Sequence, residues 1–173
     1  MKFFLIALVV IILIFGLVVL RGAPYVPSKR RDLRRALTEL YPLGDKDVLV
    51  DIGSGDGVVL RMAAEQGARA VGFELNPVLV GVAKLLSRRD RRVTVRLADF
   101  WLVKLPSDTT VVYVFGESRD IAKMASRVAA EAQRLKKTIY LISYGFEVEG
   151  VVKVQSTSTH HLYRFEPLQS NQP

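Results

Sequence analysis

The chain has no cysteine among its 173 residues. Disulfides and thiolate metal sites are therefore excluded, and a reducing, cytosolic setting stays open. It has only two histidines, His160 and His161, and being adjacent on an expected strand they point to opposite faces and cannot readily share a metal. A structural role is expected for both, and no metal site. No internal repeat or low-complexity tract is present, and the length leaves room for one compact domain beside an apolar tract, so any substrate site must be built from loops of the core fold. Acidic residues are outnumbered, 17 against 25 Lys and Arg, for a formal charge of +8. That balance favours anionic neighbours, phospholipid head groups or nucleic acid, without choosing between them.

What stands out first is an apolar run. Phe3 to Leu20 contains no charged or strongly polar residue, and as a helix it would be about 27 Å long, close to the hydrocarbon thickness of a bilayer. It exceeds the apolar core of a cleaved signal and is followed by Arg21-Gly22-Ala23-Pro24 rather than a small-x-small site; a retained transmembrane anchor over residues 1–21 is expected. Only Lys2 precedes the span, whereas Arg21, Lys29, Arg30, Arg31, Arg34 and Arg35 follow it, which places the C-terminal part on the cytoplasmic side. Residues 22–28 carry Pro24 and Pro27 and read as an extended linker. Ser28 then looks like an N-cap, and Leu33, Ala36, Leu37, Leu40 and Tyr41 fall on one helical face. Lys29 to Arg35 supply a basic face, either lying against anionic lipid at ~1 kcal/mol per residue or simply solvated.

Asp45 to Leu60 reads as a turn, a short buried strand ending at Asp51, a glycine-rich loop, and a helix starting near Gly57. Gly53, Gly55 and Gly57 allow a tight turn and close approach of a ligand, and the helix start offers free N–H groups. The dinucleotide pattern G-x-G-x-x-G is not met, because Val58 takes the third glycine slot; a nicotinamide dinucleotide is disfavoured. A second strand, Arg69 to Glu74, ends in an acid placed to accept both hydroxyl hydrogens of a ribose. A third, Val93 to Leu97, runs into Asp99, Phe100 and Trp101. The Trp101 ring has three readings: stacking on a base, facing a cationic amine, or ordinary packing.

With Asp51 before it, the glycine loop has the form D-x-G-x-G-x-G, which resembles motif I of the class I methyltransferases. The resemblance implies S-adenosyl-L-methionine as cofactor, with Asp51, Gly53, Gly55 and Gly57 around its methionine part, Glu74 on the ribose, Asp99 taking the adenine amino hydrogen, and Phe100, Trp101 or the backbone flanking the ring. A narrower match lies in Gly22 to Ser28, Val50 to Gly57, Val71 to Pro77, Asp99 to Trp101 and Val114 to Gly116. These runs resemble the membrane-anchored protein-lysine N-methyltransferases whose mitochondrial members modify the adenine nucleotide translocase and the c-type rotor protein of ATP synthase. That likeness adds Asn76 to the cofactor site and implies that Tyr25, Val26 and Pro27 help close the active site. The chain departs from the pattern at Glu117-Ser118-Arg119, which is more polar than expected, and in the short loop after Asp99. The Asn/Asp-Pro-Pro-aromatic loop of methyltransferases acting on adenine is missing, which argues against DNA-adenine methylation and against a nucleic-acid partner.

Methyl transfer is an in-line displacement that mainly requires positioning. A lysine acceptor must be neutral, and with a reference pKa of ~10.4 it needs desolvation or a base. Glu117, Tyr25 and Tyr144 are the candidates. The remaining elements are a buried strand from Thr110 to Phe115, an amphipathic helix from Asp120 to Leu135, a strand from Thr138 to Tyr144, and an antiparallel pair, Val151 to Gln155 with Leu162 to Glu166. The expected fold is α/β: a Rossmann-like, seven-stranded, mostly parallel sheet with an antiparallel edge strand, preceded by one transmembrane helix, the domain occupying residues 29–167 and a disordered tail 168–173. Arg88, Arg89, Arg91 and Arg92 form a cluster to which no function is assigned. Three readings stand: a lysine methyltransferase acting on a membrane or membrane-adjacent protein, a membrane-anchored methyltransferase of a lipid or other small molecule, and a non-catalytic adenosylmethionine-binding scaffold. The expected location is a membrane, single-pass with the domain facing the cytoplasm, or the mitochondrial inner membrane in a eukaryote.

Overall fold

Apolar residues in unbroken runs form strands buried on both faces, and the central strand β1 (Val48–Ile52) is buried at every position, as a sheet sandwiched between layers requires. In the computed structural model, residues 2–6, 9, 30–115 and 118–168 are described. The expected linker, Tyr25, Glu117 and most of Phe3 to Leu20 lie outside them; among the described residues no helix is long and apolar enough to cross a membrane.

The chain enters the domain through α1 (Arg30–Arg35), which widens into a π-turn over Ala36–Leu40 where the Tyr41 N–H donates to the Ala36 carbonyl at 2.9 Å. The apolar stripe read from the sequence is its inner face: Leu33, Ala36, Leu37 and Leu40 are buried, while Tyr41 stays half-buried and donates its hydroxyl to Asp47. After β1 come α2 (Val58–Glu65), β2 (Arg69–Glu74), α3 (Pro77–Ser87), β3 (Val93–Leu97), β4 (Val111–Phe115), α4 (Ser118–Leu135), β5 (Ile139–Tyr144), β6 (Lys153–Ser156) and β7 (His160–Phe165). One seven-stranded sheet results, in the order β3-β2-β1-β4-β5-β7-β6. Side chains alternate between its faces. Leu49, Ala70, Val95, Val111, Tyr113, Ile142 and Leu162 pack with α1, α2 and α3, while Val50, Phe73, Val112, Val114, Leu141 and Tyr163 pack with Ile121, Ala125, Val128 and Ala132 of α4.

The sheet corrects one expectation. The reversed strand is not at the edge: β7 runs antiparallel to both β5 and β6 and lies between them, so the edge strand β6 points the same way as the parallel set. Burial explains the order. His160, Leu162 and Tyr163 of β7 are buried, whereas all of β6 is exposed, and a polar strand starting with a lysine is suited to an open edge. The hairpin also starts its second strand earlier than expected, because the Thr157 N–H donates to the His160 carbonyl and the His160 N–H to the Thr157 hydroxyl, at 2.8 and 3.0 Å.

At one position the fold depends on a missing side chain. A Cβ on Gly72 of β2 would stand 2.5 Å from Ser54 Oγ and 2.6 Å from Leu60 Cδ1, so the glycine loop and α2 rest directly on bare β2 backbone. Gly72→Ala should lower stability by about 1–3 kcal/mol, the usual cost of overpacking a core, read from the midpoint of urea unfolding; an unchanged midpoint would show that the loop gives way without cost.

Candidate active site

The order of the strands reverses between β1, which leads outward to β2 and β3, and β4, which leads to β5, and such a switch point opens a crevice at the carboxyl ends of the strands. Asp51 and Tyr113 face each other across it in register. Beyond Asp51 the chain turns back over β2, the N–H groups of Gly53 and Ser54 both donating to the Phe73 carbonyl at 2.9 and 3.1 Å. Gly53, Gly55 and Gly57 all have left-handed φ, 73°, 54° and 78°, a region that L side chains rarely enter. A Cβ on Gly53 would meet nothing within 4 Å, whereas one on Gly57 would stand 3.2 Å from Ala83 Cβ. The first glycine thus faces open space where a ligand fits, and the third lets α2 close on α3.

Glu74 ties this loop down. Its Oε2 accepts the Gly55 N–H at 2.9 Å and its Oε1 the Asn76 N–H at 2.8 Å, which fixes the carboxylate plane and leaves further lone pairs for hydroxyl donors. Asn76 caps α3, its Oδ1 accepting the N–H groups of Val78 and Leu79 at 2.9 and 3.4 Å ahead of Pro77. Its buried side chain thus caps the helix, while its backbone N–H helps fix Glu74. Asp51 is 3 % exposed, and among the described residues its carboxylate accepts no hydrogen bond. Burial, then the nearby Glu74 and Asp56 carboxylates, push its pKa well above the usual carboxylate range. An ammonium or another donor brought by a ligand would relieve it.

The third acid site divides. Asp99 lies just past β3 and accepts the Trp101 N–H at 2.9 Å. Phe100 is buried with Val50 and Phe73 in the α4-side core, so its ring is core and not the adenine-flanking surface expected of it. Trp101 is half-buried with the Lys123 ammonium 4.4 Å from its ring centre, so of its three readings the cation-facing one is occupied by the chain's own lysine. Tyr144, at the tip of β5, stacks on Phe115 at 4.9 Å and meets His160 edge-on at 4.8 Å. Glu117 and Tyr25 lie outside the described residues.

Sequence reading missed Tyr113 and the buried pair it forms. The Tyr113 hydroxyl and His160 Nε2 are 3.0 Å apart, and His160 Nδ1 is 3.0 Å from the Thr159 hydroxyl. The signal was the alternation of β4, which puts Tyr113 on the Asp51 face. Burial pulls the His160 pKa down to about 4, Asp32 opposing and His161 adding to the shift. His161 points to the other face, 3.9 Å from Glu147, as adjacent strand residues must.

A glycine loop on a buried acid, a second acid at the next strand tip and a switch point between β1 and β4 define a nucleoside-binding α/β transferase of the methyltransferase type. The model of the ANTKMT methyltransferase domain matches residues 51–155, more than half of the chain, and the chain belongs to that family. It is 31% identical over 119 residues to the Xenopus laevis lysine N-methyltransferase of the ATP synthase c-subunit, covering 67% of this chain and 51% of that one. To a Saccharolobus islandicus (strain REY15A) "Protein-lysine N-methyltransferase" it is 28% identical over 148 residues, covering 80% and 89%. Among solved structures, an RNA methyltransferase from Salinibacter ruber in complex with S-adenosyl-L-homocysteine superposes with a TM-score of 0.72 at 26% identity, over 86% of this chain and 98% of that one. The chain spans about half the length of the vertebrate ATP synthase methyltransferases it matches.

Two outcomes follow from the buried groups. Asp51→Asn should raise the stability of the ligand-free protein at pH 7 by about 1 kcal/mol or more, since it removes an unpaired buried charge, while weakening adenosylmethionine binding; calorimetric titration beside urea unfolding checks both, and a less stable variant would mean that the charge is satisfied. His160 is neutral when folded, with a pKa below the ~6.5 of an unfolded histidine. Its contribution is therefore complete above pH ~6.5 and is lost as pH falls toward 4, roughly 2–3 kcal/mol in all. His160→Gln, which leaves Asp32, His161, Tyr113 and Tyr144 in place, should flatten that part of the stability profile, and an unchanged slope would contradict the assignment.

Proposed function

We propose that this chain is an S-adenosylmethionine-dependent N-methyltransferase that methylates lysine on a membrane or membrane-associated protein and is held at the bilayer by its N-terminal apolar run. The observation that carries the reading is the pairing of Glu74, fixed by the Gly55 and Asn76 N–H groups, with the buried Asp51 one strand away, whose carboxylate accepts no hydrogen bond among the described residues. Such a pair suits a ligand presenting two ribose hydroxyls and an ammonium. The family and the lysine methyltransferases among its relatives support the same reaction.

When bound, the cofactor supplies an electrophilic methyl on a sulfonium. The chain's own part is positioning. Glu74 holds hydroxyls, the loop from Gly53 to Gly57 offers close backbone approach, and Asp51 takes a cationic group. Asp99 stands beside the expected adenine position with Trp101. On the far side of the switch point the tips of β4 and β5 present the stacked rings of Phe115 and Tyr144, with His160 behind them. An amine lying against uncharged rings is desolvated and sheds its proton more readily, and Tyr144, Glu117 and Tyr25 are the candidates to receive it. Retention at the membrane raises the effective concentration of a substrate in the same bilayer. Phe3, Phe4, Leu5 and Ile6 at the start of the apolar run are helical and exposed, which is what a lipid-facing segment presents, and the following arginines favour a cytoplasmic domain.

The test is to incubate the purified full chain with methyl-labelled S-adenosylmethionine and membranes, then to separate label in protein, extractable lipid and RNA. Label on lysine of a small membrane protein, lost with Glu74→Ala together with at least a tenfold weakening of cofactor binding, about 1.4 kcal/mol, is the expected result. Glu74-dependent label in the lipid or RNA fraction would replace the substrate class, and unchanged cofactor affinity in Glu74→Ala would remove the basis of the reading.

A further inference from the structure

α3 buries Val80, Ala83 and Ser87 but leaves a second apolar stripe in the open. Val78, Val82, Leu85 and Leu86 recur at i, i+4, i+7 and i+8 and are 38–60 % exposed, and Leu75, just before the helix, continues the stripe at 39 %. Isolated exposed aliphatic residues are ordinary, but a continuous stripe along one helix face marks a contact surface. The stripe starts between Glu74 and Asn76 and ends at an arginine cluster.

That cluster shapes an open groove of about 520 Å³, with Arg61, Arg89, Arg91 and Arg92 in its lining and Glu65 and Asp90 its two carboxylates. Arg61 is occupied by Asp56, and Arg92 by the Ala64 carbonyl and Asp90. Among the described residues Arg89 and Arg91 make no ion pair or hydrogen bond. Ser87, 7 % exposed and also lining the groove, buries a hydroxyl that has no hydrogen-bond partner. Unpaired guanidinium groups beside an unpaired buried hydroxyl form a donor set that suits a phosphate.

We propose that the exposed face of α3 docks on the surface of an anionic bilayer, Leu75 to Leu86 entering the interfacial layer while the arginine groove takes a phospholipid head group. The inference rests on the membrane reading above. Aliphatic stripe and cationic rim together are the pattern of a helix lying in the interface plane. A single-stranded nucleic acid would ask for aromatic side chains among the basic ones, and the patch has none. Docked this way, the cofactor-holding end of β2 lies at head-group depth, within reach of lysines that flank a membrane helix.

The cysteine-free sequence makes the test direct. Val82→Cys, Leu86→Cys and, on the opposite face of the sheet, Ala122→Cys are introduced singly into the full chain, labelled with a polarity-sensitive fluorophore, confirmed to bind S-adenosylmethionine, and reconstituted into vesicles of phosphatidylcholine with or without phosphatidylglycerol. In anionic vesicles the labels at positions 82 and 86 should be quenched by a lipid-borne nitroxide and shielded from iodide about fivefold relative to detergent, with the label at 122 unchanged. Charge reversal, Arg89→Glu with Arg91→Glu, should abolish most of that shielding, since each arginine near an anionic surface is worth about fivefold in binding. If the chain floats with the vesicles while the labels at 82 and 86 remain as open to iodide as the one at 122, this inference fails and the membrane reading stands. Failure to float overturns both. Shielding that persists in detergent with energy transfer between differently labelled copies would identify a dimer face, and shielding by RNA without vesicles a nucleic-acid face, and either would overturn the proposal.

Discussion

The Glu74 carboxylate is the joint on which the site depends. One oxygen accepts the Gly55 N–H and the other the Asn76 N–H, so a single side chain at the end of β2 joins the glycine loop that follows β1 to the cap of α3. The loop carries three left-handed glycines and has little conformational preference of its own, and Glu74 adds to the bonds from Gly53 and Ser54 to the Phe73 carbonyl that already hold it on β2. Bare backbone at Gly72 beneath it and the Asn76 cap above it complete the same arrangement. A ligand that takes the remaining lone pairs of Glu74 therefore meets a carboxylate whose orientation is already fixed, and little further ordering is needed on binding.

Asp51 shows the opposite economy. Every neighbouring position on β1 is apolar and buried, and the carboxyl sits among them without a donor among the described residues, its ionisation opposed by burial and by Glu74 and Asp56. A fold selected for stability alone would place a hydrophobic residue there, since an unpaired buried charge costs more than it contributes. Its presence is intelligible as a place for a cationic group, whose charge would favour the ionised carboxylate. Tyr113 and His160 make the contrast plain: equally buried on the same face, they satisfy each other at 3.0 Å and belong to the frame.

Much of this was legible from residue order. Apolar runs located the strands to within a few residues, because strands covered on both faces leave continuous apolar stretches, and the 3.6 period located the helices that open at Arg30 and Ser118. The acids at Asp51, Glu74 and Asp99 were visible because each stands at or just past the end of a strand. What escaped depended on contacts distant in sequence. Nothing in Lys153–Ser156 or His160–Phe165 taken alone says which strand goes inside; relative burial of His160, Leu162 and Tyr163 decides it. Phe100 and Trp101 are neighbours in sequence with the same aromatic character, and only the packing of Phe100 under β1 and β2, against Lys123 beside Trp101, separates core from surface. Asn76 was named only through the family likeness, and its capping of α3 became visible once the helix start was in place.

The two sides of the switch point differ in chemistry, and the difference bears on the proposed methylation of an amine. On the β1 and β2 side the strand ends carry carboxylates, Asp51 and Glu74, suited to a cation and to hydroxyls. On the β4 and β5 side they carry rings, Phe115 and Tyr144 stacked together with His160 edge-on behind, and burial keeps that histidine uncharged down to about pH 4. A lysine held among carboxylates would be stabilised as the ammonium, which has no lone pair to attack with. Held against uncharged rings it loses solvation and its neutral form is favoured. The Glu74 joint keeps two buried carboxylates on the β1 and β2 side, whereas the described strand-end side chains of β4 and β5 are rings, and the separation follows from strand order: residues after β1 and β2 face one half of the crevice, residues after β4 and β5 the other.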